Sequence, residues 1–149
     1  MIISELRVYD FRQFKSVDDA PGLKITFHKG LNALIGENDS GKTAVIDALK
    51  LVLLTQSNEY IRPSDEDFYK PVGEDACSEF KIDCTISDFT QNEAKNFIEY
   101  LSFNQTENGI EYTLELHYRA WKEGHKIYQE LRVGDIDDGI SIDGKASIL

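Results

Sequence analysis

The residues with the clearest chemistry are two glycines, a lysine and a threonine at fixed spacing between positions 36 and 43. The stretch reads Gly-Glu-Asn-Asp-Ser-Gly-Lys-Thr and fits the pattern G-x-x-x-x-G-K-[ST] at every fixed position. Gly36 and Gly41 allow backbone angles that a side chain forbids, so successive N–H groups can turn onto phosphate oxygens. Lys42 places a charge on the β- and γ-phosphates, and the Thr43 hydroxyl is a hard oxygen ligand for Mg²⁺. The pattern predicts a P-loop that binds ATP or ADP with Mg²⁺.

The whole loop and the first turn of the following helix are expected to contact the nucleotide. The positive end of that helix adds to the anion site. In this set Lys42 is the candidate for a catalytic role, and Thr43 is the candidate magnesium ligand. The predicted nucleotide-binding residues of the loop are Gly36, Asn38, Asp39, Ser40, Gly41, Lys42, Thr43 and Ala44.

The elements that must position this loop are a strand before it and a helix after it. Residues 31–35 (Leu-Asn-Ala-Leu-Ile) form a short apolar run, as a buried strand would. Residues 42–54 leave few polar positions, which indicates a largely buried helix. Strand, glycine-rich loop and helix in that order are the context that the pattern requires.

Two further strands are expected before the P-loop strand. Residues 2–11 open with a strand-like stretch, and Leu23, Ile25 and Phe27 alternate with polar residues as in a half-buried strand. Nucleoside kinases and small GTPases usually begin at the P-loop strand itself. A leading antiparallel pair belongs instead to the plan of ABC-type ATPases.

Beyond the central helix, the pattern changes to strands with one short helix. Apolar and polar residues alternate over 80–86, 112–118 and 127–133, and Ile140 and Ile142 precede an Asp-Gly turn. Residues 90–93 (Thr-Gln-Asn-Glu) form a capping box, and the helix that follows presents a face of Ala94, Phe97, Ile98 and Leu101. The predicted fold is α/β: a P-loop NTPase of the ABC-ATPase type, with a mixed sheet around the P-loop helix and an antiparallel meander. Residues 1–149 are expected to form a single amino-terminal lobe of that head domain.

The charge is unevenly distributed along the chain. The formal net charge is −11; residues 1–56 are balanced, whereas residues 57–149 hold nine Lys/Arg and twenty Asp/Glu. An acidic surface repels phosphate backbones, so no DNA-binding groove is expected in this chain. A solvated acidic face that aids solubility is the simpler interpretation, and an acidic docking surface is the alternative.

The composition also indicates the cellular compartment in which the protein is expected. No stretch has the length and apolarity of a membrane span, and the amino terminus lacks a basic region followed by an apolar core. Cys77 and Cys84 are too few for a disulfide framework. A cytoplasmic protein without a membrane partner is the resulting expectation.

Four stretches of the chain together resemble the head ATPases of the SMC and RecF group. They are residues 11–14 (Phe-Arg-Gln-Phe), 30–38, 40–43 and 46–49. Residues 59–62 (Glu-Tyr-Ile-Arg) and 66–69 (Glu-Asp-Phe-Tyr) narrow the resemblance to the amino-terminal ATPase of OLD-family (overcoming lysogenization defect) endonucleases. The specific motifs cover residues 1 to about 70.

This resemblance implies an ABC-type ATPase joined to a carboxy-terminal Toprim nuclease that cuts DNA with divalent metal. ATP would bind between two ATPase heads, which implies a homodimer, and DNA would be bound by regions outside this chain. In the related heads an arginine of the Phe-Arg-x-Phe stretch reaches the nucleotide, and Arg12 matches it here. A surface arginine in a turn is the alternative interpretation of Arg12.

Some parts that hydrolysis requires are not recognisable in the sequence. The plan needs an Asp-Glu pair after four apolar residues and a Leu-Ser-Gly-Gly-like signature, and neither run is present. The acidic cluster of a Toprim site is not recognisable either. We therefore expect an amino-terminal segment that precedes these motifs, and that binds nucleotide but does not turn it over.

Two other functions remain open as alternatives. The first is a head segment of an SMC- or RecF-like clamp that ATP closes on DNA, without a nuclease. The second, an ABC transporter subunit, is disfavoured because residues 9–14 do not resemble the aromatic adenine-stacking loop of those proteins. The three histidines have no metal-ligand spacing, and residues 135–139 depart from a calcium loop and are interpreted as a solvated turn.

Overall fold

The structure is a computed structural model that describes residues 1–53, 62–135 and, for the backbone alone, 140–142. It contains two α-helices, a short 3₁₀-helix over Asp65–Asp67 and seven strands in these residues. The helices are α1 (Lys42–Val52) and α2 (Gln91–Asn96). The strands are β1 (Ile2–Tyr9), β2 (Leu23–Thr26), β3 (Glu79–Ser87), β4 (Ser102–Thr106), β5 (Gly109–Glu123), β6 (Lys126–Val133) and β7 (Ile140–Ile142).

The seven strands form one sheet, in the order β2-β1-β3-β5-β6-β7, with β4 paired to β5. Every described ladder is antiparallel. In the central register, Leu6 lies opposite Cys84, and Cys84 lies opposite Leu116. The two leading strands and the meander after the P-loop helix are therefore as the sequence predicts.

Helix α1 packs on one face of this sheet. Its buried residues recur at positions i, i+1, i+4, i+7 and i+8, which is the stripe of an amphipathic helix. They are Ala44, Val45, Ala48, Leu51 and Val52. They meet the inward-facing side chains of β1, β3, β5 and β6, and these form the core. None of the described helices is long and apolar enough to cross a membrane.

The predicted strand over residues 31–35 is wrong for this structure. These residues have no strand pairing, and Leu31 and Ile35 are 96% and 93% exposed. A strand exists only when a neighbour receives its backbone hydrogen bonds, and no described strand pairs with this segment. An apolar run can indicate that a segment suits a strand, but it cannot supply the partner.

The predictions for α2 hold in part. Both halves of the capping box form, since Thr90 accepts from the Glu93 backbone N–H and the Glu93 carboxylate accepts from the Thr90 N–H. The helix ends at Asn96, however, and Ile98 is 72% exposed, so Ile98 does not belong to its buried face. Strand β4 was not predicted, because its residues are mostly polar and exposed. The Asp-Gly turn at 143–144 and part of the turn at 135–139 lie outside the described residues.

Candidate functional site

The loop before α1 has the backbone geometry of an anion cradle. Asp39 has φ 65° and Gly41, the N-cap of α1, has φ 93°, so both are in the left-handed region. Left-handed residues alternating with ordinary ones turn successive N–H groups towards a common centre. At Gly36 an added Cβ would lie 2.5 Å from Ser40 Oγ, so the loop is closely folded on itself.

Lys42 lies over this loop and is held by the loop itself. Its Nζ donates to the carbonyl oxygens of Gly36 and Glu37, and lies 3.4 Å from Ser40 Oγ. The ammonium group is thereby kept at the mouth of the cradle. Thr43 is exposed one residue later, on the first turn of α1. Its hydroxyl makes no hydrogen bond to the described part of the chain, so its oxygen is available to a metal ion.

A cavity of about 790 Å³ lies against this loop. Its lining consists of Arg12, Gln13, Asn38, Asp39, Gly41, Lys42, Thr43 and Ala44. Of the predicted binding residues, the structure thus brings seven together around one space. Gly36 and Ser40 do not line it, but both contact Lys42. The closely folded glycine positions, the ammonium group and the free hydroxyl fit a nucleotide with Mg²⁺.

Arg12 reaches the site from the turn that follows β1, and two carboxylates already hold it. Its Nε is 3.0 Å from Asp67 Oδ1, and its Nη1 is 2.9 Å from Asp47 Oδ2. Burial lowers the pKa of Arg12, but the hydrogen bonds to Asp67 and Asp47 outweigh it, and the pKa is raised overall. Asp47 lies one helical turn after Thr43, so Arg12 connects the β1 turn to the P-loop helix.

Asp67 contacts this turn through both its side chain and its backbone, and the sequence did not indicate it as a site residue. It is 5% exposed, the lowest value of any described charged residue. Its carboxylate also accepts from Ser64 N at 2.9 Å, and its carbonyl accepts from Arg12 N at 2.8 Å. Gln13 was missed as well. No local pattern could have found either residue, because Asp67 lies 55 residues from Arg12 in the sequence and Gln13 is identified only by its packing on Gly41.

A second cavity, of about 820 Å³, lies on the sheet face opposite α1. Its charged lining is largely paired: Arg119 with Glu79, Arg132 with Glu130, and His117 Nδ1 with Asp83 at 2.8 Å. It lacks a cradle of backbone N–H groups. Among the described residues, no group of three or more His, Cys, Asp or Glu could hold a metal ion. The P-loop cavity is therefore the candidate site.

Comparisons with known proteins give one family model and several relatives. A family model described as "AAA ATPase domain" matches residues 1–133. The chain is 36% identical over 58 residues to the DNA replication and repair protein RecF of Streptococcus suis, covering 39% of this chain and 14% of RecF. It is 32% identical over 73 residues to the DNA double-strand break repair Rad50 ATPase of Pyrococcus abyssi, covering 49% of this chain and 8% of that protein.

The chromosome partition protein Smc of Chlorobaculum tepidum is 37% identical over 62 residues, or 42% of this chain and 5% of Smc. The matches thus span only a small part of each curated relative. A structure from a study of ATP-driven dimerization and DNA-stimulated activation of SMC ATPases superposes with a TM-score of 0.60. It is 21% identical and covers 95% of this chain and 72% of that chain, which is a likeness of fold.

Proposed function

The chain belongs to the AAA ATPase domain family, and from this premise we propose that it binds ATP with Mg²⁺ as part of an ABC-type ATPase head. The observation that carries the proposal is the cavity in which Lys42, Thr43 and the left-handed Gly41 meet. Backbone N–H groups of the loop and of Ala44 would hold the phosphates. Lys42 would neutralise them, and the Thr43 hydroxyl would hold the metal, which supplies charge stabilisation to the phosphates when bound.

This set of residues provides binding in the ground state. Acceleration needs groups that act on the transition state, namely an oriented water and charge opposite the leaving oxygen. The sequence holds neither the Asp-Glu strand nor the signature loop that the ABC plan uses for this purpose. We propose that hydrolysis requires residues beyond this lobe, and that a partner head, as a second copy of the protein, completes the site.

For the whole protein we propose an OLD-family ATP-dependent endonuclease of the cytoplasm. The support is the pair of stretches at 59–62 and 66–69, which resemble that family. DNA would be bound and cut outside residues 1–149.

The second candidate, an SMC- or RecF-like clamp without nuclease, is supported by the RecF, Rad50 and Smc matches. The coding sequence after residue 149 separates them: a Toprim acidic cluster favours the first, and a long heptad coiled coil favours the second.

The binding proposal is tested by calorimetry of the chain with ATP and Mg²⁺. Lys42→Ala removes a charge-assisted contact worth about 1.5–3 kcal/mol, so affinity should fall roughly ten- to a hundredfold. Lys126→Ala is the matched control, because it removes the same charge from an exposed position at the start of β6. Equal affinity of wild type and Lys42→Ala would show that the cradle is not the binding site.

A further inference from the structure

The turn after β1 packs directly on the P-loop. Phe11 and Phe14 exchange backbone hydrogen bonds across it, at 3.2 and 2.9 Å. An added Cβ at Gly41 would lie 2.6 Å from Gln13 Nε2 and 2.6 Å from Phe14 Cζ. The side chains of this turn therefore touch the second glycine of the cradle. Gln13 is exposed on the turn at this point and lines the P-loop cavity.

Two carboxylates already engage the Arg12 guanidinium and fix its position. It is shared between Asp67 and Asp47 at 3.0 and 2.9 Å, and its side chain is 29% exposed. Its backbone has φ 50°, an uncommon conformation for a bulky residue, which persists only when the surroundings enforce it. The Arg12 N–H donating to the Asp67 carbonyl is part of that enforcement.

Asp67 is itself fixed before it meets Arg12. Ser64 N donates to its Oδ2 at 2.9 Å, which closes the 3₁₀ turn, and the following Phe68 is buried and paired with Phe11. Phe68 and Phe11 both contact the Phe80 ring, with centroids 5.0 and 5.1 Å apart. The core thus positions Asp67, Asp67 positions Arg12, and Arg12 sets the shape of the turn.

Gln13 is the neutral polar side chain of this turn, and its hydrogen-bonding capacity is unused within the described residues. It is exposed, it lines the P-loop cavity, and it makes no hydrogen bond within the described residues. Its carboxamide provides donors to acceptor oxygens, which is what a phosphate presents. We propose, resting on the nucleotide site proposed above, that Gln13 contacts the phosphate chain of the bound nucleotide, and that Arg12 and Asp67 are positioning residues for Gln13.

The first test changes Gln13 in two ways and measures ATP affinity by calorimetry. Gln13→Ala removes a hydrogen bond from a neutral amide to a charged phosphate, so affinity should fall about tenfold or more. Gln13→Glu keeps the shape but places a negative charge beside the phosphates. It should bind more weakly than Gln13→Ala, and the difference between the two should shrink as salt is raised. Gln105→Glu on β4 adds the same charge away from the cavity and should match wild type.

The second test asks whether Asp67 acts through the turn. In an Asp67→Asn background, Gln13→Ala should weaken ATP binding less than twofold, because the turn no longer holds Gln13 on Gly41. Lys42→Ala should still cause its full loss in that background. If Asp67 only stabilised the fold, Asp67→Asn would not selectively remove the effect of Gln13→Ala while leaving the effect of Lys42→Ala intact. If Asp67→Asn does not fold, Arg12→Lys provides the same background. It keeps the positive charge but cannot contact Asp67 and Asp47 at the same time as arginine does.

The outcomes separate the two proposals. If both Gln13 variants bind ATP as wild type does while Lys42→Ala is impaired, the Gln13 contact is overturned and the nucleotide site stands. If Arg12→Gln is impaired tenfold and Gln13→Ala is not, Arg12 is the direct contact, as the family resemblance implies. An equal Gln13→Ala effect in both backgrounds removes the positioning role of Asp67. Absence of binding by wild type overturns the nucleotide site and the Gln13 contact together.

Discussion

At the scale of single residues, Gly41 combines two requirements that no other residue type meets. Its φ of 93° is in the left-handed region, and neighbours from the β1 turn occupy the place of a Cβ. The first requirement belongs to the P-loop pattern itself. The second arises because Gln13 and Phe14 pack on Gly41, so the turn after β1 is in direct contact with the P-loop.

Gly41→Ala should therefore lower the free energy of unfolding by about 2–5 kcal/mol. Left-handed strain contributes about 1–2 kcal/mol, and crowding by Gln13 and Phe14 contributes about 1–3 kcal/mol. Gly73→Ala is the matched control, since Gly73 has φ 77° with nothing within 4 Å of its Cβ position. It should show the strain cost alone. Urea denaturation measures both, and equal losses would mean that the packing on Gly41 adds nothing.

At the scale of elements, α2 shows how a short helix is stabilised by its first turn. Glu93 Oε2 accepts from Thr90 N at 2.8 Å, from Thr90 Oγ1 at 2.9 Å and from the terminal amine of Met1 at 3.0 Å. The hydrogen bond from the Thr90 backbone is the largest cause that lowers the pKa of Glu93, to about 2, and the bond from the terminal amine is the next. Six residues are too few for a helix to be stable without such support.

This arrangement predicts a pH dependence. Because the folded pKa of about 2 lies below the ordinary value of 4.5, folding favours the ionised carboxylate. Its contribution is present above pH 4.5 and is lost as the pH falls towards 2. The Tm of Glu93→Gln should therefore be lower than that of wild type at pH 7, with the gap closing towards pH 2. A gap that stays constant over this range would contradict the assigned hydrogen bonds.

At the scale of the whole molecule, the distribution of charge disfavours binding of a nucleic-acid phosphate backbone. The net charge is −11, and on the polar sheet face Arg7, Arg119 and Arg132 each have a glutamate partner within 3.3 Å. A duplex-binding surface needs lysines and arginines that neutralise DNA phosphates and so release the counterions of the DNA. An arginine already paired with a glutamate does this poorly. Within the part of the chain that the structure describes, the P-loop cavity is the site that favours an anion most strongly.

We expect no measurable binding of duplex DNA by this chain at physiological salt. Fluorescence anisotropy with a labelled duplex measures it, and the titration is repeated with ATP and Mg²⁺ so that a nucleotide-dependent effect is seen. Sub-micromolar affinity in either condition would contradict this expectation and show that the chain has a surface that binds DNA.

The sequence alone was sufficient for features that short stretches encode. The spacing of Gly36, Gly41, Lys42 and Thr43 predicted the loop, and the alternation over 80–86 and 112–118 predicted β3 and part of β5. The capping box predicted where α2 begins. Each of these signals depends on residues within a few positions of one another, so the local pattern contains all that is needed.

Tertiary structure decided everything that depends on a distant partner. Residues 31–35 are apolar, yet they form no strand here, because no described strand pairs with them. Arg12 matched a nucleotide-contacting arginine, but its partner Asp67 lies 55 residues away, and only folding reveals that the two carboxylates hold it. Gln13 has no distinctive pattern at all. Its place on Gly41 follows from the packing of the β1 turn against α1 and the sheet, a contact that composition and spacing do not encode.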